Sequence, residues 1–321
     1  MKKSFIVISF IILSALCIYA QTDNFLEVEN GVLHYKIYGE GNPVLIINGG
    51  PGMNCGGFSS LAELLADSNE VILFDQRGTG QSKLNTVDST TVTMDLMVDD
   101  MEKLREHLGF EKWTVLGHSF GGFLAQYYAS HYPDSFRGMI LSGSGGIDLE
   151  LLSYFGANMN IRLSEQEKDS LNYWNEQIKQ GDTSYTAKYN RGKCLAPIYL
   201  YSREYIPLIA ERLTQGNSQI TDLVYKDLYK INYDCKKSLK HFSKPVLIIQ
   251  GRQDIVGEGT AYKAHQILEN SDLVFLNECG HYGWLEQEEK YKQAVSSFLD
   301  AVKELPDEKD EMNIQRKRKS H

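Results

Sequence analysis

The sequence predicts an α/β fold: a mostly parallel twisted sheet with helices on both faces, interrupted by a helical insertion. Three observations carry that prediction. Short apolar, β-branched runs recur along the chain and read as buried strands. Segments of helical periodicity separate them, and such alternation implies parallel strands joined by right-handed crossovers. From about 147 to 241 the strand-like runs vanish, and Tyr, Asn, Gln, Lys and Glu dominate at helical spacing.

The elements follow in order. Runs 25–28 and 32–38 flank Asn30-Gly31, a dipeptide that favours a tight hairpin. Pro43-Val44-Leu45-Ile46-Ile47 forms a buried strand that runs into Asn48-Gly49-Gly50-Pro51-Gly52. A helix over 60–67 leads to the strand Val71-Ile72-Leu73-Phe74. Helical periodicity over 94–108 stops at Gly109, a residue suited to a helix end. Lys112-Trp113-Thr114-Val115-Leu116 is the next strand, and the helix near 123–129 ends before Pro133. Gly138-Met139-Ile140-Leu141 closes this half of the sheet. After the insertion the alternation resumes with a strand at 244–251, a helix at 261–268, a strand at 273–276 and a last helix at 288–303. The expected organisation is a signal segment at 1–20, a core from 21–146 and 244–305, the helical insertion at 147–243 and a polar disordered tail at 306–321.

Composition narrows the function classes. A hydrophobic share of 42% and a charged share of 23% suit a globular protein with a large core. The formal net charge of −9 excludes a dominant basic surface, and with it a nucleic-acid partner. Arg316-Lys317-Arg318-Lys319 reads as a frayed charged tail. Lys2-Lys3, an apolar run over 5–20 and a polar exit at Gln21-Thr22-Asp23 describe a secretory signal peptide cut after Ala20. That implies export to a periplasm or the exterior, with no stable membrane association afterwards. Two alternatives stay open: lipid attachment at Cys17, and an uncleaved membrane anchor from a run short for a full span. Four cysteines would remain, at 55, 194, 235 and 279. Their spacing fits neither a dense disulfide framework nor a zinc site. A Cys194–Cys235 bridge and four separate buried thiols both fit.

Gly117-His118-Ser119-Phe120-Gly121 carries the chemistry. A Ser in a sharp strand-to-helix turn, with Gly two residues before and after, matches a nucleophile elbow. Side chains at Gly117 or Gly121 would collide across such a turn. A Ser hydroxyl is a poor nucleophile until a His takes its proton, and that His works best when a carboxylate orients it. Asp254 directly follows a buried strand, at the carboxyl end where open α/β sheets place their sites. His281 lies in the loop before the final helix. Ser119, Asp254 and His281 thus form the expected catalytic triad. The Phe120 amide is one expected oxyanion donor, with Gly49 as the second and Gly50 in reserve. His118 is assigned to packing, because a side chain next to the nucleophile points away from it. Glu278 and Glu286 read as solvated surface charges. This chemistry calls for no metal or organic cofactor.

At these residues the chain resembles a family. Asn48-Gly49-Gly50-Pro51-Gly52, then Phe74-Asp75-Gln76-Arg77-Gly78-Thr79-Gly80-Gln81-Ser82, then the elbow, are similar to the proline iminopeptidase branch of the α/β hydrolases. That branch has a His-Gly-Gly-Pro-Gly loop and a downstream Asp-Gln-Arg-Gly segment. The resemblance covers most of the chain after the signal segment. It implies that the insertion is a helical cap, and that the activity is removal of an N-terminal residue, often proline, from short peptides. It also implies acidic residues around the cap that recognise the free amine. Asn48 departs from the pattern where the family has His, and Phe120 stands where many members have Trp. Ile255 follows Asp254 where some members carry Glu, which makes Glu258 and Glu204, with Glu176, the candidates for amine binding.

The expected function is therefore a serine hydrolase working through an acyl-enzyme on a small-molecule or short-peptide substrate, as an aminopeptidase. A carboxylesterase or lipase-like enzyme is the alternative. A non-catalytic binding protein on the same scaffold is the reading from a different class.

Overall fold

The computed structural model describes residues 23–305. The expected signal segment, its alternatives and the tail at 306–321 lie outside the described residues. The sheet has nine strands: β1 (Asn24–Val28), β2 (Gly31–Tyr38), β3 (Asn42–Ile47), β4 (Asn69–Phe74), the short β5 (Lys83–Leu84), β6 (Trp113–His118), β7 (Phe136–Ser142), β8 (Val246–Gly251) and β9 (Ser271–Leu276). Their spatial order is β1-β2-β4-β3-β6-β7-β8-β9, with β5 paired to β2. Pairing is parallel from β4 through β9, and β1, β2 and β5 form an antiparallel flank. The sequence-predicted fold class is the observed one.

Strand alternation divides the core into two layers. Leu45, Ile47, Ile72, Phe74, Val115 and Leu141 face one side. There they meet helices α2 (Met94–His107) and α3 (Phe120–His131). Val44, Ile46, Val71, Leu73, Leu116 and Ile140 face the other, against α1 (Ser59–Leu65) and the final helix (Glu288–Lys303). Each such fully buried aliphatic side chain contributes roughly 1.5–3 kcal/mol.

The first hairpin differs from expectation by one residue. The turn residues are Glu29 and Asn30, with Asn30 at φ 61°, and Gly31 already belongs to β2. Gly31 is needed there because a Cβ would lie 2.0 Å from the Lys83 carbonyl oxygen of β5.

Between β7 and β8 the chain forms α4 (Tyr154–Arg162), α5 (Glu165–Lys179), α6 (Tyr185–Tyr199), α7 (Ile206–Leu213), α8 (Ser218–Lys230) and the short α9 (Lys236–Leu239). α5 starts with a capping box: Ser164 accepts from the Glu167 amide, and Glu167 accepts from the Ser164 amide. The two ends of the stretch are stitched together by a bridge between Asp148 and Asp234 and by the Cys235 amide donating to the Ile147 carbonyl at 2.9 Å. The remaining helices are α10 (Glu258–Ile267), α11 (Gly283–Glu286) and α12 (Glu288–Lys303). No described helix is long and apolar enough to cross a membrane. Cys55, Cys194, Cys235 and Cys279 are all free thiols, so the Cys194–Cys235 bridge is absent.

Candidate active site

The loops leaving β3, β6 and β9 converge on one cavity, which Gly49, Ser119 and His281 line together. β6 and α3 hold Ser119 in a backbone conformation of φ 55° and ψ −119°. A residue with a Cβ pays roughly 1–3 kcal/mol to sit there, and it persists only where neighbours impose it. Here they do. The Ser119 amide donates to the Ser142 carbonyl at 3.1 Å, and its own carbonyl accepts from the Gly122 and Gly145 amides at 2.9 and 2.8 Å. A Cβ on Gly117 would lie 2.4 Å from the Gly121 carbonyl oxygen, and one on Gly121 would lie 2.1 Å from that of Ile47.

Phe120 opens α3, so its amide is among the helix-start donors that have no acceptor within the helix. The loop after β3 presses against Ser119: a Cβ on Gly49 would sit 2.6 Å from the Ser119 Cβ. Gly50 lines the same cavity at φ 74°. The Asp75-Gln76-Arg77-Gly78 segment braces this loop. Gln76 Nε2 donates to the Asn48 carbonyl at 2.7 Å, and Asp75 accepts from the Cys55 and Gln81 amides, each at 2.8 Å. Arg77 is anchored below by Asp100 at 2.9 and 2.6 Å. Asn48 Nδ2 donates to the Gly49 and Met53 carbonyls at 3.1 and 3.2 Å, which shapes the loop from inside.

The loop after β8 delivers Asp254 and the loop after β9 delivers His281. His281 Nδ1 donates to the Asp254 carboxylate at 2.8 and 3.0 Å, leaving Nε2 as the basic nitrogen. Both residues are only 4% exposed, so water competes little for that bond. Backbone ties hold the two loops in register. Gln253 and Cys279 exchange bonds at 2.9 and 3.0 Å, and the His281 amide donates to the Tyr199 carbonyl at the end of α6 at 2.7 Å. Asp254 accepts at its carbonyl from Arg162 at 2.8 Å, and Ile255 from Asn158 at 2.9 Å, so α4 also grips the acid loop.

His118 is fully buried among aromatic rings, as expected for packing, yet its ring centroid lies 4.4 Å from that of His281. Phe58, Trp284 and Tyr282 also pack against it, at 5.3, 4.9 and 5.5 Å. Burial, with the charges of His281 and Arg212 nearby, holds its pKa well below the usual imidazole value. Glu286 corrects the sequence reading. It is no solvated charge: it accepts from the Tyr201 and Ser202 amides, each at 2.7 Å, and from the Gly280 amide at 2.6 Å. Burial raises its pKa despite these three donors. Glu278 is exposed.

The cavity holds about 1180 Å³. Glu176, Glu204 and Glu258 do not line it, and Glu258 instead pairs with Arg252 at 2.9 Å. Asp222, which is exposed, is the one carboxylate on its wall among the described residues. Sequence reasoning left several cavity residues without a role. Asn158, Arg191 and Arg212 belong to helices with no motif to mark them.

Comparisons with known proteins agree with this architecture. The proline iminopeptidase of Heyndrickxia coagulans is 23% identical over 298 residues, covering 88% of this chain and 99% of that protein. The one from Saccharolobus solfataricus is 28% identical over 295 residues, covering 85% and 90%. Among solved structures, a thermophilic esterase from Thermogutta terrifontis superposes with a TM-score of 0.66 at 23% identity, over 88% of this chain and 99% of its own. The family model for the alpha/beta hydrolase fold matches residues 42–288, and the chain belongs to that family.

Proposed function

We propose that this hydrolase cleaves an acyl bond through a covalent intermediate on Ser119. The observation that carries the reading is the buried His281–Asp254 bond, with His281 lining the same cavity as a strained serine. Ser119 attacks the substrate carbonyl carbon while His281 Nε2 accepts its proton, and Asp254 stabilises the imidazolium. The Phe120 and Gly49 amides receive the oxyanion. His281 then protonates the leaving group, and water, activated by the same His, releases the acyl group and restores Ser119.

The substrate reading is an aminopeptidase that frees N-terminal residues such as proline from short peptides. Its support is the likeness to iminopeptidases along most of the chain and the Gly49-Gly50-Pro51-Gly52 loop. Ester hydrolysis is the second reading, favoured by a cavity with no buried carboxylate to receive a free amine. The test compares a proline anilide, its N-acetylated form and a short acyl ester. The peptidase predicts cleavage of the free anilide alone among the two anilides; ester turnover with neither anilide cut refutes it. Fluorophosphonate labelling, abolished in Ser119→Ala, is expected under both readings, and an unlabelled wild type overturns both.

A further inference from the structure

We propose that the substrate of this site carries a free carboxylate, received by Arg191 and Arg212 on the cavity wall built by α6 and α7. The proposal deepens the reading of Ser119 as nucleophile and rests on it. Among the described residues the cavity wall carries four cationic side chains, Lys179, Lys188, Arg191 and Arg212, against the single carboxylate of Asp222, and of the four Lys179 is paired with Glu176 at 3.6 Å. The protein as a whole is acidic, at −9, so this positive wall does not follow from its composition.

Arg212 is 5% exposed, yet it forms no ion pair among the described residues. Its Nη2 donates to the Gly49 carbonyl at 2.8 Å, and its guanidinium lies 4.6 Å from the centre of the Phe58 ring. Nη1 is buried with no hydrogen-bond partner. Arg191 donates through Nε to Asn175 Oδ1 at 2.7 Å and likewise meets no carboxylate among the described residues. Burial lowers its pKa. Cations are kept out of water at a cost of several kcal/mol unless an anion answers them. Two guanidiniums without one, lining the cavity that also holds Ser119, point to an anion brought by the ligand. The planar fork of arginine suits a carboxylate, and the exposed Lys179 and Lys188 steer an anion inward.

The carboxylate can belong to the leaving group, as the C-terminus of a dipeptide, or to the acyl group. Two matched pairs separate these sources: Pro-Gly against Pro-Gly amide, and the mono-4-nitrophenyl ester of glutaric acid against 4-nitrophenyl butyrate. The expected result is a kcat/KM for the acid about 10- to 100-fold above its neutral partner in one pair, the range of a charged hydrogen bond. That ratio should fall toward one in Arg191→Gln and largely survive in Arg191→Lys, which keeps the charge. Equal or better turnover of both neutral partners, or a ratio unmoved in Arg191→Gln, overturns the proposal. Binding is read separately in Ser119→Ala by calorimetry with glutarate. Glutarate binding that weakens tenfold or more on adding Arg191→Gln supports the anion site even if the wild type turns over no substrate, a failure that would fall on the nucleophile reading alone. With no turnover, glutarate that does not bind, or binds equally to both variants, overturns the proposal.

Discussion

His118 touches the candidate general base and does no chemistry of its own in the proposed mechanism, but its burial has a measurable consequence. Its folded-state pKa lies below the ordinary 6.5, so the unfolded chain binds the proton more readily. The stability that depends on neutral His118 is therefore complete above about pH 6.5 and is lost as the pH falls from there toward the folded-state value. The slope from this one group approaches about 1.4 kcal/mol per pH unit. Replacement by Phe keeps an aromatic ring beside Phe58, Trp284 and His281 and removes the titration. Denaturant unfolding of wild type and His118→Phe between pH 7 and 5 should show a flatter decline in the variant; parallel curves refute the assignment. Ser119, Asp254 and His281, the proposed triad, could be picked out because each follows a strand and carries its own local signature. The contact between His118 and His281 could not be, since the end of β6 and the loop after β9 meet only through the sheet.

At the level of elements, one side chain ties the His281 loop to the segment that follows α6. Glu286 in α11 accepts from the Gly280 amide in the loop itself and from Tyr201 and Ser202 beyond α6. Truncation in Glu286→Ala removes three hydrogen bonds to one carboxylate, two of them part-buried, at about 1.5–3 kcal/mol for a bond to a charged group. The expected outcome is a Tm lowered by about 4 °C or more, with kcat reduced as the His281 loop loosens. A melting curve within a degree of wild type would refute the bracing role. In the sequence Glu286 looked like any acidic residue ahead of a polar helix. Tyr201 and Ser202 reach it only after folding, so no periodicity marks it. The same holds for Gln76, whose bond to the Asn48 carbonyl gives the Asp75-Gln76-Arg77-Gly78 segment a mechanical role.

For the whole molecule, stability comes from the two apolar layers with no covalent cross-link among the described residues. Cys55, Cys235 and Cys279 are buried, and burial pushes each thiol's pKa upward, Cys235 to about 11. They are therefore poor thiolates and slow to oxidise. A reductant such as dithiothreitol should leave the Tm unchanged, whereas a fall of several degrees would reveal a disulfide. What the sequence determined by itself is local: the order of strands and helices, the glycines that permit the turn at Ser119, and the chain order of the proposed Ser119, Asp254 and His281. Strand periodicity and backbone sterics act over a few residues, so a sequence displays them. Tertiary structure alone decided what faces the cavity. It kept Glu176, Glu204 and Glu258 off the wall and placed Arg191 and Arg212 on it, because helix packing chooses which of many charged residues is turned inward and stripped of water.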